Sequence, residues 1–259
     1  MLAINYNGTD LSVKMEEFTL PSVDITLLPS EYIYVGYYKP INDLYFELSP
    51  LASTATLIVE YETAAGVVPV LNLVDKTYGL NNSGRVNWES DSTLQVSSIK
   101  FGSDLFWYRF SVSSPLAARS FYGINSVFSD DNDLKEAYPG IENNMPTGAT
   151  SFINFHVSAR KDIVQTLRKK YTAKGKLLTH FDLLENEEVR QASKYLALSK
   201  IFDWLSDAPG DNWSIKAKQY LSRASDYLSN ITITIDENDN GTKEVTEQNT
   251  IQYVRVVRV

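Results

Sequence analysis

The sequence predicts an α+β chain of more than one domain: an N-terminal antiparallel β-sandwich, then a C-terminal α-helical bundle with terminal β-strands. Three observations carry this. Up to about residue 135, short apolar runs alternate with Pro, Gly, Asn, Asp and Ser turn signals and no helical period intervenes. Past residue 150, apolar residues recur at spacings of three and four. Between the two lies "YPGIENNMPTGATS", Tyr138 to Ser151, rich in helix- and strand-breaking residues. These features set a sandwich at residues 1–137, a linker at 138–150 and a helical domain with a C-terminal β tail at 151–259.

Each element has a local reason. "ITLLP", "EYIYVGYY" and "LYFELS" are strand-length runs closed by turn residues. "TATLIVEYET" alternates: Ala55, Leu57, Val59 and Tyr61 share one side, Thr56, Ile58, Glu60 and Glu62 the other, as a half-buried strand requires. "VVPVLNLV" continues as strand after a Gly66 turn, followed by "GRVNWE", "SSIKF" and "FWYRFSVS". In "LFWYRF", Phe106, Tyr108 and Phe110 face one way and Leu105, Trp107 and Arg109 the other; with both faces largely apolar, the strand is central or covered. Helices follow. Phe152, Phe155, Ala159, Ile163 and Leu167 form one stripe behind a Thr150 or Ser151 cap. Val189, Ala192, Leu196 and Phe202 form a second, with Glu187 and Glu188 at its positive N-terminal end. Ala217, Tyr220, Leu221, Ala224, Tyr227 and Leu228 form a third. "ITITID" and "IQYVRVVRV" then read as strands.

Composition narrows the chemistry. Of 259 residues 43% are apolar, enough for a core. Cys is absent, which removes disulfides, Cys-ligated zinc and thiol catalysis together. The start of the chain lacks a basic segment followed by an apolar run, so no secretory signal is expected, and no stretch reaches the ~18 apolar residues of a membrane span. The net charge of −8 is uneven: through Gly140 there are 17 Asp and Glu against 8 Lys and Arg. Sequence-specific nucleic acid binding, which needs clustered cations, is not expected.

Catalytic groups are sparse. The two histidines, His156 on a helix face and His180 in a loop beside Phe181, suit packing, and no phosphate loop or nucleophile elbow occurs. Glu60 and Glu62 sit at strand spacing on a solvated face rather than as a glycosidase pair. No catalytic residue and no cofactor is expected. Asp236, Asn238, Asn240 and Glu247 match a calcium-loop pattern, but the preceding strand and Lys243 favour a hairpin turn. Trp88, Trp107 and Tyr108 could stack on sugar rings, with core packing as the competing reading. The last nine residues carry two Arg and no acid; so apolar a segment should join a sheet, either of a neighbouring protein or locally with "ITITI".

Residues 57–112 resemble a module that recurs in virion proteins of tailed bacteriophages. The module's pattern is a strand ending "veYwnG", then D-x-T-x-G-[FL]-x-x-S-G-x-v-x-[FW], then a strand ending "YWiRl"; here the segments read "VEYETAAG", "DKTYGLNNSGRVNW" and "LFWYRFSV". The chain departs at Glu62-Thr63 and in the order Trp107-Tyr108. The flanking "VGYYKPINDLYFEL" and "GINSVFSDDNDL" are also similar to phage structural proteins. "ASKYLALSKIFDWLS" and "KAKQYLSRASDYLSN" are similar to the helical bundle of head–tail connector adaptors of long-tailed phages. The resemblance implies a non-enzymatic neck protein in the virion, a dodecameric ring of this chain contacting the portal protein and other neck or tail proteins, without a membrane. It also implies that Tyr253, Arg255, Val257, Arg258 and Val259 engage the partner. A tail or baseplate protein whose sandwich binds host glycan is the alternative.

Overall fold

The computed structural model describes residues 2–15, 22–91, 93–171, 178–183, 187–229, 231–235 and 248–250. The chain divides into two compact units, one spanning Met1–Ser126 and one beginning at Val127.

The first unit is built from β1 (Ala3–Tyr6), β2 (Thr9–Asp10), the short α1 (Ser12–Met15), β3 (Val23–Leu27), β4 (Ile33–Tyr37), β5 (Asp43–Leu48), β6 (Leu57–Thr63), β7 (Gly66–Pro69), β8 (Leu71–Asp75), β9 (Gly84–Glu89), β10 (Ser98–Lys100), β11 (Ser103–Val112) and β12 (Leu116–Asn125). One sheet runs β2-β1-β4-β11-β6-β7, with β10 also on β11; the other runs β3-β12-β5-β9-β8. All pairings are antiparallel. This is the expected sandwich. The alternation in β6 holds: Leu57, Val59 and Tyr61 are buried while Ile58 is exposed. The expected single strand "VVPVLNLV" is instead two. β7 belongs to the first sheet and β8 to the second, so the chain changes sheets at Val70.

Aromatic rings join the two sheets. Phe46 of β5 meets Phe110 of β11 edge-on at 5.3 Å, and Trp88 of β9 lies 5.2 Å from Tyr108 and 5.7 Å from Phe110. Such pairs add about 0.5–1.5 kcal/mol each beyond their burial. The Tyr108 hydroxyl accepts from the Ile41 amide at 3.0 Å, and burial pushes its pKa up. Trp107 points the other way yet is also buried. Phe101 covers it at 5.5 Å, its indole nitrogen donates to the Ser98 carbonyl at 3.0 Å, and Gly36 leaves room where a Cβ would stand 2.7 Å from the ring.

The Asp75–Gly84 turn is a hydrogen-bonded knot. The Asp75 carboxylate accepts from the amide of Thr77 at 2.7 Å, its hydroxyl at 2.5 Å and the amide of Gly79 at 2.6 Å. Thr77 Oγ1 in turn accepts from the Leu80 amide at 2.9 Å. Tyr78, Gly79 and Leu80 all have positive φ. A Cβ on Gly79 would stand 1.9 Å from the Ala55 carbonyl oxygen. Asp, Thr and Gly at these spacings are thus what the turn requires.

The second unit holds α2 (Asp131–Ala137), 3-10 turns at Ile141–Asn144 and His180–Asp182, α3 (Ile153–Tyr171), α4 (Glu187–Leu205), α5 (Asn212–Ser229), and a two-stranded sheet of β13 (Thr232–Thr234) with β14 (Gln248–Thr250). Its core takes the expected Phe152, Ala159, Ile163, Leu167, Val189, Ala192, Leu196, Phe202, Ala217, Tyr220 and Ala224. Leu221 and Tyr227, expected on the inner stripe of α5, are instead 48% and 39% exposed.

The expected boundaries need correction. The sequence places residues 127–137 in the sandwich, but α2 packs with the helices, Leu134 being fully buried in their core. Nor is 138–150 a spacer: Ile141 is fully buried, and Tyr138 and Met145 pack on the same core. Lys216 of α5 fastens this stretch. Its ammonium donates to Tyr138 Oη at 2.7 Å and lies 4.8 Å from the Tyr138 ring centre and 4.7 Å from that of Trp213. Pro and Gly here shape turns around a buried Ile; they do not signal solvated chain.

Asp211 caps α5. Its carboxylate accepts from the Ser214 amide at 2.6 Å, the Asp207 amide at 2.9 Å, the Ala208 amide at 3.3 Å and Ser206 Oγ at 3.1 Å. These bonds, Ser214's first, lower its pKa to about 2.

Two predictions follow from these turns. Gly79→Ala should destabilise the sandwich by about 3 kcal/mol or more, combining left-handed strain with a backbone clash. Gly102→Ala, at φ +80 with open space around it, should cost about 1 kcal/mol. Urea denaturation of both variants checks the ordering. For Asp211, a folded pKa below the ordinary 3.8 means its stabilisation is complete above that value and is lost as pH falls through about 2. The stability difference between the wild type and Asp211→Asn should therefore shrink with acidification across that window, as thermal melts at stepped pH would record.

Candidate functional site

The helical unit contains the groups most like a reaction centre. Asp130 caps α2, accepting from the amides of Asn132 at 2.9 Å and Asp133 at 3.2 Å, and Asp133 returns the bond from the Asp130 amide at 2.9 Å. This box fixes the residues on either side of Asp130. Asp131, in the first turn, accepts from the Phe152 amide at 3.2 Å at the start of α3 and bonds His156 Nε2 at 3.1 Å. On the other side of the imidazole, Nδ1 lies 3.0 Å from Ser129 Oγ, which is 2.8 Å from Ser193 Oγ of α4. With the imidazole neutral and its proton on Nε2, one direction of donation satisfies every group: Ser193 to Ser129, Ser129 to Nδ1, Nε2–H to Asp131.

Serine, histidine and aspartate in a row are the letters of a nucleophilic triad, but the arrangement differs in two ways. A triad places the nucleophile on Nε2 and the carboxylate on Nδ1; here the order is reversed. Ser129, His156 and Ser193 are also each 0% exposed, so the hydroxyl faces packed protein where a triad serine faces substrate. The packing role expected for His156 is the one it has, though its partners were not foreseen. Ser129 and Asp131 lie 27 and 25 residues before it and Ser193 lies 64 residues beyond Ser129. The available signals were "SDDND" as a capping sequence and Ser193 beside Ala192 on the apolar face of α4.

Trp88, Trp107 and Tyr108 are buried, with exposures of 3%, 2% and 0%, so none presents a ring face to a sugar and core packing is the role they have. Arg109 donates to Glu60 through Nε at 2.7 Å and Nη2 at 3.1 Å, and its guanidinium lies 4.5 Å from the centre of the Tyr32 ring. Glu60 holds the Arg109 pKa above its usual value. Glu62 pairs with Lys100 at 2.6 Å. These carboxylates are committed to cations on the outer face of the sheet. His180 starts a 3-10 turn with its ring 4.2 Å from Phe181. Asp236, Asn238, Asn240 and Glu247 lie outside the described residues, as do Tyr253, Arg255, Val257, Arg258 and Val259. "ITITI" pairs antiparallel with Gln248–Thr250, Thr232 opposite Thr250. Among the described residues no cluster of three or more His, Asp or Glu could hold a metal, and no helix is long and apolar enough to cross a membrane.

One open feature is sizeable. A groove of about 900 Å³ is lined by Asp162, Gln165 and Thr166 of α3, Leu196 of α4 and an α5 face that includes Leu221, Ala224, Asp226 and Leu228. Its lining mixes apolar side chains with hydroxyls, two carboxylates and the Lys218 ammonium, and Asp162 is already paired with Lys200 at 2.7 Å. No known protein-family model matches the chain, and a search of curated proteins finds no match.

If the polar chain is a structural fastening, Ser129→Ala should leave a buried hydroxyl and a buried ring nitrogen without partners. We expect a loss of about 2–4 kcal/mol in the stability of the helical unit, read by urea unfolding followed at 222 nm.

Proposed function

We propose that this chain is a non-enzymatic structural protein of a tailed-phage virion, forming a ring at the head–tail connection and joining portal to tail. In this reading the helical unit makes the ring and portal contacts and the sandwich faces outward. The observation that carries the non-catalytic part is the sealing of Ser129, His156 and Ser193 at 0% exposure. A hydroxyl with no exposed surface presents nothing for a substrate to meet at this site, whereas a satisfied buried network rigidifies and specifies a core. The docking part is supported by the groove on the helical unit, and the virion setting by the resemblance of the Asp75–Trp88 and Leu105–Val112 segments to phage modules. Sugar recognition through Trp88, Trp107 and Tyr108 is not retained, because stacking needs an exposed ring face.

Negative-stain electron microscopy of the purified full-length chain tests this. Closed rings, dodecameric as in the adaptors it resembles, are expected. A monomer at every concentration examined would overturn the ring assignment.

A further inference from the structure

We propose that the pocket on the outer face of the first sheet, between the β1–β2 and β10–β11 turns, binds a single hexopyranose ring. The site lies within the sandwich alone, so the inference does not depend on the assembly reading.

The two hairpins that flank the pocket are built alike. Asn7-Gly8 and Phe101-Gly102 are two-residue turns, and all four residues have positive φ, the geometry whose twist matches the strands it joins. Strand register then decides which side chains meet. Asn5 stands opposite Asp10 across the first hairpin and opposite Tyr34 on its other side. Their sequence neighbours Ile4 and Val35 point into the core at 0% exposure, so Asn5, Asp10 and Tyr34 share the outer face. Gly36 pairs with both Ala3 and Trp107 on that same face. The pocket has a volume of about 240 Å³, and its lining includes Asn5, Asp10, Ser12, Phe101, Ser103 and Trp107.

Its polar side is fixed before any ligand arrives. Asn5 Oδ1 accepts from the Gly8 amide at 3.0 Å, which identifies Nδ2 as the donor end. Nδ2 has no partner among the described residues, although Asn5 is only 5% exposed. Asp10 Oδ1 accepts from the Ser12 hydroxyl at 2.5 Å and the Ser12 amide at 2.9 Å. These bonds, the hydroxyl's first, hold the Asp10 pKa below its usual value, and its second oxygen takes part in neither. A donor and an ionised acceptor thus stand side by side, their Cβ atoms about 5 Å apart as in any directly opposed pair.

The apolar side comes from Phe101. Its turn position carries a left-handed strain that Gly or Asn would avoid. Edge contacts with Tyr34 at 5.3 Å and Trp107 at 5.5 Å hold the ring, yet 49% of the residue stays exposed. These groups select the occupant. A simple cation would pair with Asp10 and leave the Asn5 donor unmatched, and an anion would be repelled by Asp10. A neutral polyol meets both, its hydroxyls accepting from Asn5 and donating to Asp10. A pyranose adds a C–H face to lie against the Phe101 ring. The volume is below the roughly 300–1,000 Å³ of sites for drug-sized ligands, which limits the fit to one ring.

Saturation-transfer NMR on the full-length chain tests this, using the methyl glycosides of glucose, galactose, mannose and N-acetylglucosamine, with glycerol and ethanolamine as controls. At least one glycoside should receive saturation several-fold above both controls, strongest on the C–H protons of one ring face. Asp10→Asn keeps Oδ1 for Ser12 and replaces the second oxygen by a donor. Phe101→Leu keeps an apolar cover over Trp107 and removes the aromatic face. Each should lower the affinity at least about fivefold while the near-ultraviolet circular dichroism of the wild type is retained. Glycosides that all stay at the control level, or binding that either folded variant leaves unchanged, would overturn the proposal. Ethanolamine saturated above every glycoside would also overturn it, by making the site one for an organic cation.

Discussion

The helical unit depends on one closed line of hydrogen bonds, Ser193 to Ser129 to His156 to Asp131. It starts on α4, passes through the residue before the α2 cap, crosses α3 at the imidazole and ends on α2 at a carboxylate that also accepts from the amide of Phe152, the residue before α3. Three helices are thereby set in register by groups buried deeply enough that a missing partner would cost the full desolvation of what it left behind. The apolar core around it, including Phe152, Ala159, Ile163 and Ala192, supplies most of the burial. The polar line adds direction: apolar surfaces tolerate sliding, whereas a hydroxyl and a ring nitrogen 3.0 Å apart do not. The buried Asp133, bonded by Arg190 Nε at 3.0 Å, repeats the device between α2 and α4.

The sandwich solves its problem with different means. Its two sheets are matched by aromatic contacts between Phe46, Trp88, Tyr108 and Phe110, and its tightest turn by the carboxylate of Asp75. The stretch from Leu73 to Trp88 therefore consists of one turn that must be knotted to hold three positive φ angles and one strand that must deliver an indole to the core. Its residues have structural work for each letter that a sugar site or a catalytic loop would also have used.

Much of this was legible in the sequence where the information is local. The period-two pattern of Leu57, Val59 and Tyr61, the helical stripes through Ile163 and Leu196, and the two apolar faces of β11 each translate directly into burial. What was not legible depends on partners distant in sequence or on a turn's context. Trp107 reads as a platform until Phe101 and Gly36 are seen to enclose it. Ile141 sits among Pro, Gly and Asn, so the stretch reads as linker although Ile141 is a core residue. The sheet change at Val70 has no signal beyond Pro69 and the positive φ of Asn72. His156 reads as a packed residue, but nothing near it announces two serines and an aspartate.

The account stands on the claim that the serine, histidine and aspartate of the helical unit hold the fold and perform no chemistry. The most direct measurement is reaction of the folded full-length chain with a fluorophosphonate serine probe, followed by peptide mapping. The account predicts no modification of Ser129 under native conditions. Stoichiometric labelling of Ser129 that His156→Ala abolishes, in a variant still folded by circular dichroism, would contradict it.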